Sequence, residues 1–372
     1  MGVERMTMGT NVPESLFSWQ MIASAPPEKV AMECRELPMP ELKSGEALVK
    51  IAGCGVCGTD LGYFFDGIPT VSRPPITLGH EISGTVVVGE LGLVGKKVIV
   101  PTILPCRKCD LCRSGRANRC LHQKMPGNSY GPYGGFASHI VVPSRELCVL
   151  PQLPEIGLEK LAVIADAVAT PFQAAVRGGL KKGDRVIVLG ATGGLGVYMA
   201  QWARLMGAEC VIGIARNAGK LEQVREFGLD LTICSVDKTP WEVRKEFWSL
   251  CRKNGLDPRS GWKIFEMTGS CDGQEIALEL LGYTGILVVV GYSPEMIRYN
   301  ISKLMAFDAE IRGTWGCLPE HYAGIAARVL AGDIKVSPLV EVRPMSTITE
   351  VFQELRQGSA GFKRIVLTPD FH

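Results

Sequence analysis

Between Gly53 and Glu81 the chain reads GCGVCGTD, then an aromatic and proline-rich spacer, then LGHE. Cys57 can present a thiolate and His80 an imidazole, two donor types that zinc readily accepts. Thr59 offers a hydroxyl able to pass a proton outward, and Glu81 follows the histidine directly. A metal-assisted alcohol oxidation needs these groups in one place. The stretch still lacks a third ligand and a hydride acceptor, which the rest of the chain must supply. Two blander readings stay open here: Cys54 and Cys57 also form a C-x-x-C that could act as a redox pair, and a single histidine among apolar residues is often part of the core.

A second cluster follows. Cys106, Cys109, Cys112 and Cys120 occur as C-x-x-C-x-x-C with a fourth cysteine eight residues on. Four thiolates so close together can close a tetrahedral shell round one zinc and leave no open position, which makes a structural site. Similar spacing can hold an iron-sulfur cluster. The basic residues Arg107, Lys108, Arg113, Arg116, Arg119 and Lys124 around it are read as a solvated lobe offsetting thiolate charge, with phosphate binding as the alternative.

The elements that position these groups follow from pattern. At 372 residues, 46% of them hydrophobic, the chain exceeds the usual size of one core, so two domains are expected. A net charge of +2 supplies no field for nucleic acid or a membrane surface. Thirteen cysteines, an odd count, behind an opening segment with no apolar core predict thiols and metal ligands in a reducing cytoplasm. Glycines interrupt every apolar run before it reaches the length of a membrane span. Met8 to Gln20 reads as an extended arm, and Val30 to Val100 as short alternating strands broken by Gly and Pro, suggesting a partly open antiparallel barrel.

Near Leu158 the period changes. LEKLAVIADAVATPFQAAVRGGL reads as helix interrupted at Thr170-Pro171, and the stretch from Lys181 to Arg216 as strand, glycine loop, helix, strand. RVIVL is the continuous apolar run of a parallel strand covered on both faces. In the loop, Gly190, Gly193, Gly194, Leu195 and Gly196 let the backbone bring a diphosphate to the amino end of the next helix, whose free N–H groups and dipole favour anions. LTICS, WKIFEMTG and GILVVVGY continue the alternation to about Gly316, which predicts a Rossmann doubly wound sheet. The closing helices and the strand FKRIVLTP are assigned to the first domain. The expected division is 1–167 with 317–372 for the catalytic domain, including the lobe 105–121, and 168–316 for the dinucleotide domain.

The chain resembles the zinc-containing medium-chain alcohol dehydrogenases over essentially its whole length. The resemblance rests on GCGVCGTD, on GHE at Gly79 to Glu81, on the four-cysteine lobe and on the glycine loop behind a D-A-x-A-T-P segment. It implies a GroES-like catalytic domain and two zinc ions per chain. Cys57, His80 and Asp166 are the implied ligands of the catalytic zinc, Asp166 standing where many members have cysteine. Glu81 is implied beside the metal or as an alternate ligand, and Asp60 as the residue that orients the histidine. Thr59 takes up the alcohol's proton, Thr170 lies against the nicotinamide, and Arg364 contacts the cofactor diphosphate. A zinc-free reductase of the same scaffold would be expected to lack the cysteine ligand and GHE. Within the family, VPESLFSWQM, LGYFFDGIPTV, KMPGNSYGPYGGFASHI, KIFEMTGS and LMAFDAEIRGTWGCLPEHY look most similar to the 6-hydroxycyclohex-1-ene-1-carbonyl-CoA dehydrogenases. The implied substrate is an acyl-CoA thioester carrying a secondary allylic alcohol, with polyols or aromatic and cyclic alcohols as the alternative. The implied assembly is a tetramer or dimer.

Two departures bear on chemistry. Many members continue the proton relay with a histidine where this chain has Gly62, so the proton must leave by water or the cofactor ribose, and the position is expected to make room for a larger substrate. An acidic residue at the end of the second Rossmann strand would bind the ribose 2′-hydroxyl of NAD. Here Ala215 and Arg216, with Lys220 nearby, favour a 2′-phosphate and hence NADP, whereas the most similar group is associated with NAD. NAD or NADP is therefore expected.

Overall fold

A computed structural model of the chain describes residues 7–8, 13–23, 31–151 and 156–371. It divides into two compact units, one of Met1–Ala169, Gly316–Gly332 and Val336–His372, the other of Thr170–Trp315 and Asp333–Lys335.

In the first unit the strand Glu46–Gly55 is the centre of an eight-stranded sheet. It pairs antiparallel with Glu81–Gly89, His139–Pro143 and Arg364–Thr368, and the last of these pairs parallel with Val340–Pro344. The sheet is open and mostly antiparallel, in keeping with a GroES-like fold that is not closed into a complete barrel. The predicted arm proves to be structural over its second half: Ser15–Met21 is the middle strand of a three-stranded sheet, hydrogen-bonded to Met32–Pro38 and Ile76–Thr77. Its alternate residues Leu16, Ser18 and Gln20 are buried, a period-two pattern that the polar neighbours obscure in sequence. Residues 9–12 of that arm lie outside the described residues. Phe64, Phe136 and Phe352 meet edge to face at 5.4 and 5.9 Å, which packs the helix Ile348–Gln357 onto the sheet.

The second unit is built on a six-stranded parallel sheet. Its order is Leu231–Cys234, Cys210–Ala215, Arg185–Leu189, Trp262–Glu266, Ile286–Val289 and Glu310–Gly313. The order reverses beside Arg185–Leu189, the switch point at which such sheets bind ligands. The helix Pro240–Lys253 shows how local sequence starts an element here: Thr239 accepts from Glu242 N while the Glu242 carboxylate accepts from Thr239 N, and proline takes the first helical position.

One boundary differs from expectation. The break in the 158–177 segment precedes Thr170-Pro171: a 3-10 stretch over Leu158–Ala165 ends at Asp166, and an α-helix starts at Ala169. Pro171 falls in the first turn of that helix, where no backbone N–H is needed, so it begins the helix instead of interrupting it. No helix among the described residues is long and apolar enough to cross a membrane.

Candidate active site

Three separate pieces of backbone bring the donors together in the first unit. Cys57 is the N-cap of the helix Gly58–Phe65, His80 immediately precedes the strand Glu81–Gly89, and Asp166 closes the 3-10 stretch. Ligand atoms of Cys57, His80, Glu81 and Asp166 all lie within 4.8 Å of one another. Asp166 Oδ2 is 3.6 Å from Cys57 Sγ and 3.6 Å from His80 Nε2. A tetrahedral zinc with bonds of about 2.0–2.3 Å sets its donors roughly 3.3–3.8 Å apart, so the spacing fits that ion.

Asp60 holds the arrangement in register. Its carboxylate is fully buried, accepts from Cys57 N at 2.9 Å and from Gly79 N at 3.0 Å, and faces His80 Nδ1 at 3.5 Å. One side chain thus ties the backbone of both ligand segments and presents charge to the far nitrogen of the imidazole, the geometry that fixes a ligand histidine's tautomer. Gly79 has φ +91, and a Cβ there would lie 2.7 Å from Cys54 Sγ, so glycine alone allows the turn into His80.

Two further clamps carry no spacing signal. Thr102 Oγ1 lies 2.8 Å from Ala165 O and 3.2 Å from His80 O, and the buried Tyr322 hydroxyl donates to Ala165 O at 2.6 Å. They hold the carbonyl just before Asp166. Only the fold, which brings residues 102 and 322 to position 165, reveals them.

The electrostatics favour a cation. Burial pushes the His80 imidazole down, but Asp60, Asp166 and Cys57 outweigh it and hold it well above its ordinary value. Burial likewise raises the Glu81 carboxyl, although Arg364 pulls against that rise. Arg364 Nε donates to Glu81 Oε2 at 3.1 Å and Nη2 donates to Oε1. Arg364 is thus partly buried and commits Nε and Nη2 to Glu81, which leaves Nη1 as its remaining donor. The Cys54 thiol is fully buried and pushed well above its usual range, by desolvation first and then by Asp60, which leaves it protonated and unsuited to a redox pair with Cys57.

Thr59 is half-buried, its Oγ1 3.7 Å from Cys57 Sγ. The room expected at Gly62 is already taken. A Cβ on this buried residue would meet Ile68 Cδ1 at 2.9 Å, so Ile68 fills the space left by the missing side chain.

In the lobe, Cys109 Sγ stands 3.5 Å from Cys112 Sγ and 3.8 Å from Cys120 Sγ, and Cys106 joins the same group within 4.8 Å. Four sulfurs about 2.3 Å from one zinc are separated by about 3.8 Å. Cys120 Sγ accepts from the backbone N–H of Cys106 and of His122 at 3.2 and 3.3 Å. Donation from the backbone of Cys112 and Leu121 lowers Cys109 to about 6, whereas burial pushes Cys112 up to about 12 and raises Cys120, so Cys109 is the thiolate of this group in the absence of an ion. Arg107 is removed from any phosphate role: it donates to Glu146 at 2.9 and 2.6 Å and also meets Glu320.

In the second unit the loop Gly190–Leu195 joins Arg185–Leu189 to the helix Gly196–Leu205. Gly193 N donates to Gly190 O at 2.8 Å, and a Cβ on Gly196 would stand 2.1 Å from that oxygen. The turn is as tight as a diphosphate loop requires. Arg216 is exposed just past the end of Cys210–Ala215, and Asn217 caps the next helix by accepting from Lys220 N at 2.9 Å. Thr170 lies buried in the first turn of Ala169–Arg177.

Two family models match the chain, the alcohol dehydrogenase GroES-like domain over residues 43–152 and the zinc-binding dehydrogenase over residues 194–331. The chain belongs to the zinc-dependent medium-chain alcohol dehydrogenase family. Among curated proteins it is 28% identical over 345 residues to sorbitol dehydrogenase of Gallus gallus, covering 86% of this chain and 89% of that protein. It is 29% identical over 349 residues to an alcohol dehydrogenase of Geobacillus stearothermophilus, covering 92% and 97%. Acetophenone reductase of Geotrichum candidum, solved in complex with NAD, superposes with a TM-score of 0.80 at 25% identity, covering 96% of this chain and 98% of that one. Zinc and NAD or NADP are accordingly the cofactors of this dehydrogenase.

Proposed function

We propose that this dehydrogenase oxidises the secondary allylic alcohol of 6-hydroxycyclohex-1-ene-1-carbonyl-CoA to the 6-oxo product, with NAD(P) as hydride acceptor. The observation that carries the alcohol dehydrogenase reading is the Cys57, His80 and Asp166 triangle with zinc-compatible spacing. Three protein ligands leave a fourth position for the reacting oxygen, as catalytic zinc requires. Zinc held there would supply Lewis acidity that brings an alcohol's pKa toward neutrality.

The chain's own residues have distinct tasks. Asp60 keeps the ligand segments in place, and Arg364 pairs with Glu81, the carboxylate beside the donor set. Thr59 takes the alcohol proton and passes it to water or the cofactor ribose, since Gly62 offers no histidine. The turn from Gly190 through Gly193, Gly194 and Leu195 to Gly196 takes the diphosphate, and Thr170 lies against the nicotinamide. Arg216 and Lys220 meet the adenosine ribose and favour a 2′-phosphate.

The thioester reading is supported by the sequence stretches that resemble that group of enzymes. A polyol substrate is the second reading, favoured by the sorbitol dehydrogenase relative and by Ile68, which removes the extra room argued for at Gly62. The test is zinc content per chain, with initial rates on 6-hydroxycyclohex-1-ene-1-carbonyl-CoA, simple cyclohexenols and sorbitol, each with NAD and NADP. Two zincs with strong preference for the thioester uphold the proposal. Two zincs with sorbitol oxidised and the thioester untouched transfer it to polyols, and a chain purified with full occupancy of only one zinc overturns the site.

A further inference from the structure

The helix Pro240–Lys253 buries Val243, Phe247 and Cys251 and turns a stripe of indoles and cations outward. Positions 241, 244 and 245, 248 and 252 are linked by three- and four-residue spacings, so they share a face. The Arg244 guanidinium stands 5.5 Å from the Trp241 ring centre and 5.2 Å from that of Trp248. Lys245 Nζ is 5.2 Å from the Trp241 ring and the Arg252 guanidinium 5.5 Å from Trp248. The result is a ladder in which cation and aromatic ring alternate along about three turns of helix.

A cavity of about 360 Å³ opens on this ladder, lined by the two indoles, Ser249 and four cations and by no carboxylate. Arg244 is tied to Glu279 at 2.7 Å. Lys245, Arg252 and Lys253 have no carboxylate within ion-pair distance among the described residues. Lys245, which also neighbours the Glu242 carboxylate, and the unpaired Arg252 and Lys253 therefore surround an open, aromatic-walled groove on this helix, of a size that a small molecule can occupy. Both cations on Trp241 come from the turn after it, and the residue remains 53% exposed. A purine has a flat face for such an indole, and phosphates suit the flanking guanidinium and ammonium groups.

We propose that this face binds a phosphorylated adenine nucleotide, its purine stacked on Trp241 and its phosphates met by Lys245, Arg252 and Lys253. The site lies on the helix after the edge strand Leu231–Cys234 and shares no residue with the glycine loop or with Arg216 and Lys220. It does not depend on which alcohol is oxidised. The same chemistry is offered by free ADP and by the 3′-phosphoadenosine end of coenzyme A.

The experiment is calorimetric titration of the zinc-loaded enzyme, saturated with NADH, with ADP, adenosine 3′,5′-bisphosphate, coenzyme A and pyrophosphate. One further adenine nucleotide per chain is expected, with pyrophosphate bound at least about tenfold more weakly. Trp241→Leu and the pair Lys245→Glu with Lys253→Glu should each weaken nucleotide binding about tenfold or more. All three positions are exposed, so zinc content and circular dichroism should stay unchanged. Tighter binding of the bisphosphate and coenzyme A than of ADP assigns the coenzyme A end, and equal binding assigns free nucleotides. Absence of a second nucleotide, binding indifferent to all these substitutions, or binding only to vesicles containing phosphatidylserine overturns the proposal.

Discussion

Arg364 and Glu81 form a buried fork-to-carboxylate pair that passes over Gly55. Their strands flank Glu46–Gly55 on opposite sides, and a Cβ on Gly55 would lie only 2.0 Å from Glu81 Oε2. The sheet thus leaves a gap at residue 55 through which a carboxylate beside the metal donors reaches its counter-ion. Replacing Arg364 by Met should leave that charge uncompensated and cost about 3–5 kcal/mol of stability. Arg364→Met combined with Glu81→Gln should recover most of the loss. Urea unfolding midpoints of the two variants and the parent check this, and equal losses in the single and double variants would show that the pair is not the cause.

Asp60→Asn tests the clamp on the ligand segments. Asparagine has one acceptor oxygen where two backbone donors, Cys57 N and Gly79 N, now converge on a carboxylate. It also removes the charge facing His80. Zinc affinity should fall about 10–100-fold, as it does when an outer partner of a ligand histidine is lost. Competition with a chromophoric chelator measures the change, and it should appear in only one of the two zinc ions.

Much of this organisation was legible in the chain because the decisive signals are local. RVIVL, the glycines after it and the spacing of Cys106 to Cys120 each lie within one element or one loop. Asp166 was reached only through resemblance, because its partners are more than eighty residues away in sequence. Thr102, Tyr322 and Ile68 were not reached at all: a hydroxyl that pins a distant carbonyl, or a methyl that fills a glycine's space, leaves no period or spacing behind. The strand Ser15–Met21 was missed for a related reason, since buried Ser18 and Gln20 break the apolar alternation on its inner face. The pairing of Arg364 with Glu81 was not reached either, because its sequence position cannot reveal that Gly55 opens a path between them.

Ala215→Asp combined with Arg216→Ala should move cofactor preference toward NAD. An aspartate at the strand end can accept from the ribose 2′-hydroxyl and repels a 2′-phosphate, while removing Arg216 takes away the phosphate's counter-charge. The ratio of kcat/KM for NADP to that for NAD should fall at least about tenfold. An unchanged ratio would mean that Arg216 does not face the adenosine ribose.

His139 sets an acid limit on the first unit. Burial lowers its imidazole to about 4, with Lys50 adding to the effect. The unfolded chain takes up this proton near pH 6.5, so between there and pH 4 it binds more protons than the folded chain. Stability is therefore full above pH 6.5 and declines as pH falls through that window. Because the ring is partly solvated, the contribution is discounted to about 1–2 kcal/mol. His139→Gln should flatten the decline between pH 6.5 and 4 in urea melts.

The cysteine lobe should separate stability from catalysis. Arg107 lies between the first two cysteines, with a left-handed φ of 64, and joins the lobe to Glu146 and Glu320. That strained residue is held in place by the cysteines on either side, so the ion pairs depend on the metal as well as on the charges. Cys112→Ser should lower zinc from two per chain to one and leave kcat within about twofold, because no lobe cysteine belongs to the donor set around Cys57. Heat inactivation should become roughly tenfold or more faster. Arg107→Ala should speed inactivation less and keep both zinc ions. If Cys112→Ser instead abolished turnover while sparing heat resistance, the lobe would have to be assigned to the reaction.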